Sequence, residues 1–223
     1  MRKIALLYLL VILFLTATSQ SRMQLSIDAG PTFTSTIRYQ NCTGHIEPAI
    51  TPSFALLYKV NSYFGLELKF ASLIGPTSYL NNDSDKIVKI YTTSHIVLQH
   101  LLAGFNYFVP SKRIHPYVGL LLGGSYAETK EIEPQSFIYN FSVGFQTGAT
   151  LNLSSLLALK LNGYVLKTPG VYNNTSYFDV ANDGSGFPSF IVGDPSKATI
   201  TQWNINIGIL VNLGKKLKDS ENF

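Results

Sequence analysis

Trp203-Asn204-Ile205-Asn206-Ile207-Gly208-Ile209-Leu210-Val211-Asn212 alternates with a period of two. One face carries Trp203, three isoleucines and Val211; the other carries three asparagines, Gly208 and Leu210. That period marks a β-strand with one apolar and one polar side. On a soluble sandwich the polar side would be charged. Here it is small and uncharged, which suits a crowded lumen better than a water-facing surface.

The same alternation recurs along the chain. Leu25, Ile27, Ala29 and Phe33 oppose Ser26, Asp28, Gly30, Thr32 and Thr34, and Phe54, Leu56 and Tyr58 oppose Ser53, Ala55 and Lys59. Phe64, Leu66, Leu68 and Phe70 oppose Gly65, Glu67, Lys69 and Ala71. A fourth strand spans 95–109, with two almost equally apolar faces. A fifth spans 116–127, with Val118, Leu120, Leu122 and Tyr126 opposite Gly119, Gly123 and Ser125. Phe141, Val143, Phe145, Ala149 and Leu151 oppose Ser142, Gly144, Gln146, Gly148 and Asn152 in a sixth. Leu157, Leu159, Leu161 and Val165 oppose Ala158, Lys160, Asn162 and Tyr164 in a seventh, and Thr201–Leu213 form the eighth. Eight such strands of roughly ten residues predict an all-β fold, an eight-stranded antiparallel up-and-down transmembrane β-barrel.

The connections point the same way. Residues 60–62, 110–115 and 154–155 are short, whereas 37–47, 73–90, 128–136 and 168–199 are longer and rich in Asn, Asp, Gly and Pro. Long and short alternate throughout, as tight periplasmic turns and long outer loops do in an outer-membrane barrel. Tyr58, Tyr63, Tyr107, Tyr117 and Trp203 sit near strand ends, where aromatic girdles form.

The N-terminus supplies a route to that membrane. Met1-Arg2-Lys3, the apolar run 4–15 and Thr16-Ala17-Thr18-Ser19 read as a signal peptide over 1–19. The apolar run is too short for the roughly 20 residues that span a bilayer as a helix. The barrel domain then covers 20–214 and a short polar periplasmic tail covers 215–223. Taking Arg2 and Lys3 from 17 basic residues leaves 15 against 13 acidic, a net charge of +2. With no basic stripe, this balance excludes a nucleic-acid partner. Cys42 is the only cysteine, so no intramolecular disulfide or cysteine-cluster metal site can form. Charged residues are 13% of the chain, about half the share usual in soluble domains.

Several stretches resemble a known family. Tyr63-Phe64-Gly65-Leu66-Glu67-Leu68-Lys69-Phe70 followed by Gly75 is one. Gly104-Phe105-Asn106-Tyr107-Phe108, the basic turn Lys112-Arg113, His115-Pro116-Tyr117-Val118-Gly119 and the ending Ile207–Gly214 continue it. Across essentially the whole mature chain these are similar to the small, porin-like, PorT-related outer-membrane β-barrels of Bacteroidota, a group related to a barrel subunit of gliding and secretion systems. Phe70 stands where that family usually has tyrosine, and the fourth strand lacks its frequent proline. The resemblance implies barrel construction and supplies no catalytic residues.

Eight strands enclose little more than their own side chains. Asp28, Lys59, Glu67, Lys69, His100, Gln146 and Lys160 fall on inward faces, and unpaired charges there are costly. The expectation is a polar network that plugs the lumen, with Glu67 reaching Lys69, Lys160 or Lys59. A narrow ion path is the alternative. Ser94-His95 raises a lipid A-modifying enzyme, as in some other barrels, but adjacent strand residues face opposite ways and cannot pair as nucleophile and base. His45 would have to approach from elsewhere. The histidines lack metal-ligand spacing, and Asp179–Gly184 lacks the calcium-loop pattern and its closing glutamate. No cofactor is implied.

Residues 168–199 form a connection long enough to need a reason. Tyr172, Tyr177, Phe178, Phe187 and Phe190 lie there among Asn, Gly and Ser, a composition suited to adaptable contacts, or to closing the barrel mouth. The sequence thus predicts an integral outer-membrane barrel, monomeric and surrounded by lipid, with a structural or surface-interaction role and no catalysis. Its outer loop is the candidate contact for an outer-membrane or surface partner. A small-solute channel is the runner-up, followed by a soluble lipocalin-like binder with the faces reversed.

Overall fold

A computed structural model describes residues 22–38, 42–81, 88–111, 113–129, 137–169 and 199–213. The regular elements among them are strands: β1 Met23–Thr34, β2 Ile37–Arg38, β3 Cys42–Ile46, β4 Ala49–Lys59, β5 Phe64–Asn81, β6 Val88–Phe108, β7 Ile114–Thr129, β8 Phe137–Asn152, β9 Leu157–Pro169 and β10 Thr199–Asn212. Eight of these close an antiparallel ring, β1-β4-β5-β6-β7-β8-β9-β10, with β10 returning to β1 over Gln24↔Asn212 to Thr34↔Gln202. Closure removes the exposed edges that an open sheet would present.

Alternating burial runs round the ring. In β9, Leu157, Leu159, Leu161 and Val165 are exposed, while Ala158, Lys160, Asn162, Tyr164 and Leu166 are buried. Ile207 is 67% exposed between Asn206 and Gly208 on β10, the reverse of a soluble protein's arrangement. Such an outward apolar band is solvated by lipid, and many of the inward polar groups bond one another, although both side-chain polar atoms of Asn162 and the Lys69 ammonium have no hydrogen-bond partner among the described residues. On β6 the equal faces predicted for the fourth strand have a cause. Leu101, Phe105 and Tyr107 face out, whereas Leu98 and Leu102 are buried inside with His100 and Asn106.

Three expectations need correction. The stretch 37–47 is not wholly a loop, because β3 pairs with β5 from Cys42↔Asn81 to Ile46↔Thr77, beyond the end of the β4–β5 ladder at Ser53↔Ala71. Pro48, lacking an N–H, separates β3 from β4. The stretch 73–90 is largely strand as well: β5 is 18 residues long, β6 is 21, and only 82–87 separates them. Ser72-Leu73-Ile74-Gly75-Pro76 breaks the alternation and ends in a turn-like Gly-Pro. The ladder accommodates Pro76 by a register shift between Pro76 and Ser78. Finally, Tyr117 is not a girdle residue; it is buried in the lumen, 5.5 Å from the Phe108 ring. Tyr63 and Tyr107, 6.4 Å apart and stacked, do lie outside at the short-turn end.

Candidate functional site

Each inward position of neighbouring strands stacks against the next, so the lumen is built in layers. In the ionic layer, Lys160 of β9 places Nζ 3.4 Å from Asp28 Oδ2 of β1 and 3.4 Å from Glu67 Oε1 of β5. Its ammonium also donates to Ser26 Oγ at 3.1 Å. Glu67 Oε2 accepts from Asn106 Nδ2 at 2.7 Å and Gln146 Nε2 at 2.5 Å. Asp28 accepts from Asn206 Nδ2 at 2.7 Å and from the Ser53 hydroxyl. Asn106 lies so close to β7 that Gly119 has no room for a side chain; a Cβ there would lie 2.8 Å from Phe105 O as well as against Asn106 itself.

Lys69 is fully buried, with its ammonium 4.3 Å from the Tyr164 ring centroid. Facing a ring partly compensates a desolvated cation. Burial and the repulsive field of Lys160 oppose the charge on Lys69, and the attractive fields of Glu67 and Asp28 favour it. Two acids and two bases therefore share this layer, which balances charge where an isolated ion would be costly.

Toward the outer end, Leu102, Leu121, Tyr164 and Leu166 pack as an apolar layer. Beyond it, His100 Nδ1 is 2.5 Å from Ser125 Oγ, Ser125 bonds Ser142, and Ser142 bonds Thr168 at 2.6 Å. Gln202 Nε2 meets His100 Nε2 from the facing wall at 3.1 Å. Toward the short turns, Leu57, Phe108 and Tyr117 form a second apolar layer.

The predicted lumen residues thus separate into three places. Asp28, Glu67, Lys69, Gln146 and Lys160 come together. His100 occupies its own hydroxyl-rich layer. Lys59 stands apart at the short-turn mouth, its ammonium 5.1 Å from the Phe108 ring centroid. As the last residue of β4, opposite Gly65, it lies one inward step beyond Leu57, which is paired with Glu67. Ser26, Ser53, Asn106 and Asn206 were not singled out from sequence, although inward parity could have identified them.

Tyr172, Tyr177, Phe178, Phe187, Phe190 and Asp179–Gly184 lie outside the described residues, as do the signal-peptide segment and the polar tail. His45 pairs with Ser78 and His95 with Pro76, so the two histidines are on strands flanking opposite sides of β5. Among the described residues no group of three or more His, Cys, Asp or Glu side chains could hold a metal.

Comparison with solved structures gives the architecture a counterpart. Neisserial surface protein A is similar at a TM-score of 0.55 and 13% identity, over 85% of this chain and 96% of that one. The outer membrane protein OprG from Pseudomonas aeruginosa is similar at 0.51 and 12% identity, over 86% and 97%. This is the fold of small outer-membrane barrels. No family model and no curated protein matches the chain. With its lipid-facing apolar band and closed ring, the protein is an integral β-barrel of the bacterial outer membrane.

Proposed function

We propose that this protein is a non-catalytic, monomeric barrel with a structural or surface-interaction role, exercised through the outer connection 168–199. We further propose that it belongs with the porin-like, PorT-related barrels of Bacteroidota, on the motif stretches around Leu66-Glu67-Leu68 and Ile207–Gly214. The packed lumen is the observation that carries the functional reading. A charge-balanced ionic layer between two apolar layers is a plug, and a plugged wall leaves the loops as the part available to other molecules.

The test is deletion of residues 173–192. The shortened protein should insert and retain the gel shift of a folded, unboiled barrel, since loop tips tolerate change better than ladders do. Site-directed crosslinks from this loop on intact cells should disappear, and the intact protein should give no steady conductance in planar bilayers. Large, stable, solute-permeable openings would replace this reading with the channel.

A further inference from the structure

At the periplasmic mouth several chain segments converge on a recess of about 540 Å³, lined by Arg22, Lys59, Asn61, Ser62, Ser111 and His115. Its chemistry differs from that of the lumen. There two acids accompany two bases; here the Arg22 guanidinium, the Lys59 amine, whose pKa burial lowers, and an imidazole meet with no carboxylate in the lining. Neither Arg22 nor Lys59 has a carboxylate partner among the described residues.

The remaining groups are mostly donors. Arg22 Nη1 donates to Val60 O at 3.1 Å, which anchors the guanidinium and leaves the rest of its fork unused. Asn61 Oδ1 accepts from the backbone N–H groups of Tyr63 and Phe64, both at 2.8 Å, so its amide nitrogen is left to donate. His115 Nε2 is 3.0 Å from Asn152 Nδ2, leaving Nδ1, and the ring lies in the field of Lys59. Ser62 and Ser111 add hydroxyls.

We propose that this recess binds a phosphoryl anion, either the headgroup of a periplasmic-leaflet phospholipid or a soluble phosphorylated compound. A guanidinium fork, an ammonium and hydroxyls arriving from different turns suit a tetrahedral oxyanion, whose oxygens do not lie in one plane. A planar carboxylate holds its oxygens in one plane and would meet donors from different turns less well than a tetrahedral phosphoryl group. Apolar Val60, Tyr63 and Ile114 on the outside of the same turns are about half exposed, which sets the recess level with the headgroups.

The experiment uses the full chain in lipid nanodiscs and two probes. Inorganic phosphate is titrated by calorimetry in phosphatidylcholine discs, and retention of phosphatidylglycerol over phosphatidylcholine is read by native mass spectrometry. Saturable phosphate binding would assign a soluble phosphoryl ligand. Selective phosphatidylglycerol retention without phosphate binding would assign the lipid headgroup; either outcome supports the site. The R22Q/K59Q variant, checked for the folded-barrel gel shift, should weaken the positive probe at least tenfold. R113Q, at an exposed arginine outside the lining, should leave it unchanged. Binding of neither probe would overturn the proposal, as would equal binding by wild type and R22Q/K59Q, or an equal loss in R113Q.

Discussion

Replacing Glu67 with alanine tests whether the ionic layer is one coupled unit. The carboxylate holds one ion pair at 3.4 Å and two charge-assisted hydrogen bonds at 2.7 and 2.5 Å. A hydrogen bond to a charged group contributes about 1.5–3 kcal/mol, and orphaning one member of a buried ion pair costs about 3–5 kcal/mol. These effects share partners and do not add, so Glu67→Ala should cost about 3–5 kcal/mol in total. Asp28 continues to hold Lys160, but Lys69 and Lys160 then face a single acid. Removing Lys160 as well, by Lys160→Met, restores the charge balance. The double variant should therefore be less destabilised than the sum of the singles, by about 1–3 kcal/mol. Urea unfolding in lipid vesicles, followed through Trp203 as the only tryptophan, measures all three. A cost below about 1 kcal/mol for Glu67→Ala, or strict additivity in the double variant, would refute the coupled plug.

The lipid-facing register predicts that Leu68→Lys, at an exposed outward position between Glu67 and Lys69, costs about 2–4 kcal/mol in vesicles. Val109→Lys, beside the short turn, should cost about 0–1 kcal/mol by the same assay; equal costs would place the membrane wrongly. Gly119→Ala should destabilise by about 1–3 kcal/mol, because the added methyl meets Asn106 and the Phe105 carbonyl. Gly124→Ala, with nothing within 4 Å of the new Cβ, should be neutral or slightly stabilising, and a matching loss at both glycines would contradict the packing. Leu121→Ala, which opens a void in the outer apolar layer, should cost about 2–5 kcal/mol, read from the heating midpoint of the gel shift.

Strand parity was the most legible property of the sequence, because one side of each wall meets hydrocarbon and the other meets the plug. Where both sides are apolar the rule loses force. Leu98 and Leu102 hide the parity of β6 by filling the plug, and Leu73 does the same for β5. Strand ends were harder still. A Gly-Pro pair reads locally as a turn, yet Pro76 sits at a register shift within a continuing ladder. The lumen residues followed from parity, but their division into layers did not. Lys59 and Glu67 share a parity, and only the position of each along the axis separates a mouth residue from the ionic layer. Tyr117 shows the converse: its nearness to a turn suggested a girdle, while its parity with Gly119 and Leu121 puts it inside.

The pairing of β1 with β10 makes the order of strands circular, although the polypeptide is linear. Leu213 N donates to Met23 O at 2.9 Å, so the first and last strands meet on the same side as the short turns. Joining them there would need only a brief linker, and the turn at 153–156 could be opened to become the new ends. The barrel geometry has no intrinsic beginning. A circularly permuted chain would begin at a different hairpin and close at a different seam while keeping the same lumen contacts.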